Sequence, residues 1–187
     1  MLKPKFQVAY NAPFTLTFTL ACIGASVAIW LTGGAAAALL FSVGGPLNFI
    51  DPFFYVRPFL HVLGHANVQH LAYNLTIILL IGPLLEEKHG GERLLLLTGV
   101  TAIATALPML LFLPGRLLGA SGVAFALIVL GSYTRAKNGA MPLTFLLVCA
   151  LYLTQEVYRA FAVNDNVAQF AHLIGGAVGA IAALRWR

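Results

Sequence analysis

The chain has 187 residues, of which 60% are hydrophobic and only 9% charged, and its formal net charge is +5. A soluble domain carries about 25% charged residues, and one this poor in charge cannot cover its own surface, so the composition implies lipid as the solvent. The cations are scattered singly between apolar runs, with no basic stripe interleaved with aromatics; this argues against a nucleic-acid partner and for membrane topology as the source of the excess.

Lys3 and Lys5 precede an apolar run from Phe14 to Leu31. The run is long enough to span a bilayer and no polar, small-residue cleavage region follows it, so it reads as a membrane helix and not as a removed leader. Six segments approach the roughly 20 apolar residues that a spanning helix needs: 14–32, 67–85, 93–113, 120–136, 140–157 and 168–185. Glycine, proline or charge punctuates every break between them. The expected architecture is an all-α integral membrane bundle of six transmembrane helices, forming a single domain over 1–187. Residues 33–64 are too long for a simple turn and contain Pro46, Pro52 and Pro58, yet they stay rich in Phe, Leu and Val. They predict a folded, membrane-associated first loop with short helices, although Ala35–Val43 also suits an extension of the first span. Cys22 and Cys149 lie inside apolar stretches without metal-ligand spacing and read as buried thiols. His89, in the charged 86–93 turn, reads as solvated.

An inside amino terminus places Lys3, Lys5, Lys88, Arg93, Arg135, Lys137, Arg185 and Arg187 on the cytoplasmic side, and leaves Arg57, Arg116 and Arg159 outside. That asymmetry predicts that both termini are cytoplasmic. Polar residues then gather at the outer ends of three spans. His70 and Asn74 open the second, Ser121 the fourth and His172 the sixth, whereas the inner halves read as almost wholly apolar.

Polar groups at membrane depth are expensive, which makes each of these a functional candidate. Ser121 lies in Gly119-Ala120-Ser121-Gly122, where small neighbours permit close approach and a helix amino terminus offers unpaired N–H groups to an oxyanion. A helix-capping serine fits the same four residues. His172 shares a helix face with Gly175 and Gly179, and the fourth span offers Gly122 and Ala126 as a matching small strip. Close packing of the two strips brings the imidazole towards Ser121 Oγ, as a nucleophile and its general base require; a histidine bonded to a backbone carbonyl at an ordinary helix crossing is the plainer reading. His70 and Asn74, four apart on one face, suit either an oxyanion hole with Ser121 and Gly119 or polar contacts between helices. Phe125, one turn after Ser121, suits stacking on the imidazole or plain core packing. His61, His65 and His70 lack an HExxH pattern and a nearby carboxylate, so no metal is expected. No carboxylate lies in the spans to orient His172, which favours a Ser–His dyad over a triad.

Together these residues resemble the rhomboid intramembrane proteases. The resemblance rests on His70-Leu71-Ala72-Tyr73-Asn74, on Gly119-Ala120-Ser121-Gly122, and on Ala171-His172 followed by Gly175 and Gly179. It extends to Arg57-Pro58-Phe59-Leu60-His61 in the first loop, to Val62-Leu63-Gly64-His65 after it, and to Glu86 with Gly90 between the second and third spans. Val56 stands where the family often has Trp, and Phe125 where many members have Tyr. The resemblance implies a serine endopeptidase without cofactor, acting on transmembrane protein substrates within the lipid bilayer. In it Ser121 and His172 are catalytic, His70, Asn74, Ser121 and Gly119 form the oxyanion hole, and Phe125, Gly122, Gly175, Gly179, Arg57 and Glu86 are supporting. Asn67, Gln69 and Gln169 would hold water near the site. The absence of a long cytosolic domain, transit peptide or seventh span points by analogy to a bacterial plasma membrane. A catalytically silent rhomboid-like protein that escorts membrane helices, and a small transporter, are the rival readings.

Overall fold

The computed structural model describes residues 9–134 and 166–186, together with Leu143, Leu147, Ala150, Leu151, Thr154 and Tyr158. The described helices are α1 (Pro13–Leu31), α2 (Arg57–Leu60), α3 (Val68–His89), α4 (Gly91–Leu111), α5 (Ser121–Thr134) and α6 (Asn166–Arg185). Three of them, α1, α3 and α4, are long and apolar enough to cross a membrane, and α5 is a shorter apolar helix. The expected segment 140–157 lies outside the described residues apart from the isolated positions named, so the count of six spans is not established. No strand occurs among the described residues; the one extended pairing is an isolated bridge between Val43 and Leu117.

The outer faces are apolar. Leu20 and Leu31 on α1, Leu80 on α3, Leu95 and Leu96 on α4, and Leu173 on α6 are all exposed. A contiguous surface of this kind is stable only against lipid or a partner. α5 is the opposite case. It is apolar on every side, and from Gly122 to Ile128 every residue is buried, so it forms the centre of the bundle with α3, α4 and α6 around it.

Each helix end follows from local chemistry. Pro13 opens α1 and has no N–H to lose. The next two donors, Phe14 N and Thr15 N, give their hydrogens to Glu86 Oε1 (2.7 Å) and Oε2 (2.8 Å), and Thr15 Oγ1 donates to Oε2 as well (2.7 Å). Leu16 N donates to Ala12 O at 2.9 Å, so the donors of the first turn are all satisfied. A carboxylate in this position also complements the positive end of the α1 dipole. Glu86 therefore belongs to the α1 end of the bundle, remote from Ser121. At its other end α1 does not continue into Ala35–Val43. Gly33 (φ +58°) and Gly34 (φ +92°) reverse the chain, with Gly34 N on Ile29 O at 2.8 Å, and a separate wide helical turn runs over Ala37–Phe41.

The segment after it is the folded loop expected from its composition, with short helical turns at Pro52–Tyr55, Arg57–Leu60 and His61–Leu63. Arg57 holds it together. Its guanidinium pairs with Asp51 at 2.7 Å and its Nε donates to Leu39 O at 2.9 Å. Arg57 thus acts inside the first loop, while Ile50, 93% exposed, and Phe59 face outwards.

The half of the bundle near Glu86 is less apolar than expected. Thr15, Thr19 and Thr98 are buried there. His89 is also buried, 5.7 Å from the Trp186 ring, and is not the solvated loop residue that its charged neighbours suggest.

Glu86→Ala removes three accepted hydrogen bonds and strands two N–H groups of α1, so it is expected to destabilise the fold by about 2–4 kcal/mol. Glu86→Gln keeps one acceptor oxygen and should lose clearly less. Reversible unfolding in mixed micelles, followed by circular dichroism, measures both.

Candidate active site

The site forms where α5 and α6 cross. A Cβ at Gly175 would run into the Gly122 carbonyl oxygen, and one at Gly179 into that of Ala126. Backbones this close require glycine on one helix and small residues on the other. At the same crossing a Cβ on Gly122 would lie 3.2 Å from Ala171 O. Ser121 precedes Gly122 and His172 follows Ala171, so the two candidates flank one contact. His172 is buried (6% exposed), and its ring stacks on Phe125 with centroids 5.6 Å apart and planes at 21°. Phe125 takes this position without the hydroxyl of a Tyr.

Ser121 is the first residue of α5, and Ala124 N donates to Ala120 O at 2.8 Å as the first bond of the helix. The N–H groups of Ser121, Gly122 and Val123 therefore have no intrahelical acceptor. The turn before them is held from outside. Leu117 exchanges backbone bonds with Val43 (2.8 and 2.9 Å), Gly119 N donates to His61 O at 2.9 Å, and Ala120 N donates to His65 Nε2 at 3.3 Å. Gly119 has φ +128°, a conformation that suits glycine. Its N–H is engaged by the His61 carbonyl. What Gly119 supplies is room, since a Cβ there would sit 2.8 Å from His70 Nε2 and 3.9 Å from Asn74 Nδ2.

His70 and Asn74 occupy one face of α3, started by Asn67, whose Oδ1 accepts from His70 N at 2.9 Å. Asn67 thus serves as the helix cap through its Oδ1, and Gln69 donates to Tyr73 OH at 3.3 Å. Gln169 is exposed. Asn74 is 2% exposed, and its Nδ2 has no hydrogen-bond partner among the described residues. An unmatched buried amide donor costs about 1–3 kcal/mol.

His61 and His65 have a place that the sequence did not assign. The His65 Nε2 accepts from Ala120 N, so its proton is on Nδ1, 3.2 Å from both Leu63 O and Ser26 Oγ. Trp30 Nε1 donates to His65 O at 3.1 Å, tying the same residue to α1. His61 Nε2 lies 3.0 Å from Ala102 O and must donate to it. The bond that the His65 ring accepts requires its neutral form, whereas the bond that the His61 ring donates fits either form. Burial pushes each down to about 4, with the nearby His70 charge adding to the effect at His65 and the carbonyl bonds opposing it. The only sequence signal for this role was three histidines leading into the second span, and no cluster fit for a metal ion occurs among the described residues.

A helical bundle with apolar outer faces and a serine, two histidines and an asparagine drawn together at one end defines a class of membrane protein with a buried polar site. The family model of the rhomboid domain matches residues 53–186, and the chain belongs to the rhomboid family. It is an integral membrane protein. It is 25% identical over 175 residues to "Rhomboid protease GlpG" of Yersinia pestis (strain Pestoides F), which covers 91% of this chain and 62% of that protein. It is 34% identical over 134 residues to "Rhomboid-related protein 2" of Mus musculus, covering 64% of this chain and 44% of that protein. The chain thus spans about three-fifths of the length of the first of these and less than half of the second.

The two buried histidines set a pH dependence. Their folded values near 4 lie below the ordinary 6.5, so the unfolded chain binds more protons between these limits. The stability they contribute is complete above about pH 6.5 and is lost as the pH falls towards 4. The melting temperature in detergent should drop over this window, and His65→Gln, which keeps an acceptor but does not titrate, should flatten the drop. Scanning fluorimetry across pH 4–8 measures both.

Proposed function

We propose that the chain is an intramembrane serine endopeptidase that cuts transmembrane protein substrates with a Ser121–His172 dyad. Ser121 Oγ attacks the scissile carbonyl carbon while His172 takes its proton. The imidazolium then protonates the leaving amine as the C–N bond breaks. A water, deprotonated by the same imidazole, hydrolyses the acyl-enzyme and restores Ser121. The Ser121 N–H, His70 and Asn74 hold the oxyanion. The observation that carries this reading is the convergence at the open turn of α5. His172 stacks on Phe125 one turn below Ser121, and from the other side Gly119 lies against His70 and Asn74.

A dyad, and not a triad, is supported by the carboxylates among the described residues. Asp51 is paired with Arg57 in the first loop, and Glu86, Glu87 and Glu92 lie at the opposite end of the bundle. That opposite end also carries Lys88, Arg93 and Arg185. The positive-inside rule then puts it in the cytoplasm, with both termini, and opens the site towards the outer side of a bacterial plasma membrane. The whole of 1–187 forms one domain in this reading.

A fluorophosphonate probe should label the wild-type protein in bilayers and leave Ser121→Ala unlabelled. His172→Ala should react about 10²–10⁴-fold more slowly, the usual worth of a general base. Asn74→Ala should lower kcat on a cleavable transmembrane substrate by about 10²–10³ while KM stays near its original value. Equal labelling of wild type and Ser121→Ala would remove Ser121 from the mechanism. A folded protein that no active-site probe labels and that cleaves no transmembrane substrate would instead be a silent helix-binding member of the family.

A further inference from the structure

The α3–α4 turn sorts its charges onto two sides. Glu86, Glu87 and Glu92 line a cavity of about 600 Å³ against α1, together with Asn11, Pro13 and Leu95. On the side of α6, Arg93 places its guanidinium 5.8 Å from the centroid of the Trp186 ring, and the His89 ring packs on the same indole at 5.7 Å. Arg185, exposed in the last turn of α6, directly precedes Trp186 in the chain. Arg93 and Arg185 make no ion pair among the described residues. His89 is 9% exposed, and its Nε2 is buried without a hydrogen-bond partner among the described residues. A cationic corner therefore surrounds an indole and a buried, unmatched imidazole nitrogen at one end of a membrane protein.

We propose that this corner binds the phosphate of an anionic membrane phospholipid. Arg93 and Arg185 supply the charge, His89 Nε2–H supplies a hydrogen bond to a phosphate oxygen, and Trp186 packs against the glycerol and upper acyl chain. An aromatic ring flanked by cations suits this interface because the indole is apolar on its faces and tolerates the headgroup layer. The carboxylates on the far side of the turn keep their repulsion away from the phosphate. The site is separate from Ser121 and does not depend on proteolysis.

The test uses the Ser121→Ala chain in nanodiscs and reads tryptophan quenching by phospholipid brominated on its acyl chains. Brominated phosphatidylglycerol diluted into phosphatidylcholine should quench more than brominated phosphatidylcholine at the same mole fraction. The excess should vanish in Trp186→Phe, which leaves Trp30 alone. Arg93→Gln should lower the preference for the anionic lipid about fivefold, the factor that one interfacial cation contributes, whereas Arg93→Lys should keep most of it. Equal quenching by the two lipids would overturn the proposal. So would a preference that survives Arg93→Gln combined with Arg185→Gln in protein whose melting temperature is unchanged. Loss of the excess on adding millimolar glycerol phosphate would show a soluble-anion site and would also overturn the lipid assignment.

Discussion

The arrangement depends on how closely α5 and α6 approach. In lipid no hydrophobic force drives two apolar helices together, so contact relies on dispersion over many short distances. Gly175 against the Gly122 carbonyl and Gly179 against that of Ala126 make those distances possible. The same contact lets His172 reach the level of Ser121 and spread its ring over Phe125. A side chain as small as alanine at Gly175 would push the helices apart at the level of Ser121 and His172.

The second constraint is the turn that leads into Ser121. A serine at the start of a helix is well placed for chemistry only if the turn before it has one conformation. The first loop imposes it. Backbone pairing of Val43 with Leu117, the His61 carbonyl on Gly119 N and the His65 ring on Ala120 N fix three of the residues from 117 to 120. Arg57, buttressed by Asp51, keeps that loop folded without touching the site. The loop is therefore part of the machinery through its backbone, and the exposed apolar residues on it, Ile50 and Phe59, belong to its outer face.

The apolar runs were legible because lipid demands continuous hydrophobic stretches, and α1, α3 and α4 fall within a few residues of their expected bounds, α3 running on to His89. The gathering of Ser121, His172, His70 and Asn74 was an expectation drawn from polar residues at helix ends, which stand out against such a background. Other features were hidden for definite reasons. The partner of Glu86 is the backbone of α1, and backbone N–H groups carry no side-chain signature. The committed N–H of Gly119 depends on a carbonyl in the first loop, which composition alone does not place. His89 looked solvated because its neighbours in the chain are charged, but Trp186, near the other end of the sequence, covers it.

Among the described residues, the carboxylates lie away from Ser121. The carboxylate of Glu86 sits at the far end, neutralised by three donors, and Asp51 is satisfied by Arg57 within the loop. Near Ser121 the described polar groups include an amide at Asn74, an imidazole at His61 that donates to Ala102 O, and one at His65 whose accepted hydrogen bond requires the uncharged form. An isolated buried charge would cost several kcal/mol even after relaxation, whereas a neutral donor without a partner costs about 1–3 kcal/mol. A carboxylate behind His172 would have to be ionised to orient the imidazole, and lipid on the outer faces offers it no water. The proposed two-residue chemistry avoids that cost. Its charge separation exists only while substrate covers the site, and the open turn of α5 with Asn74 beside it meets the negative end of that separation where it develops.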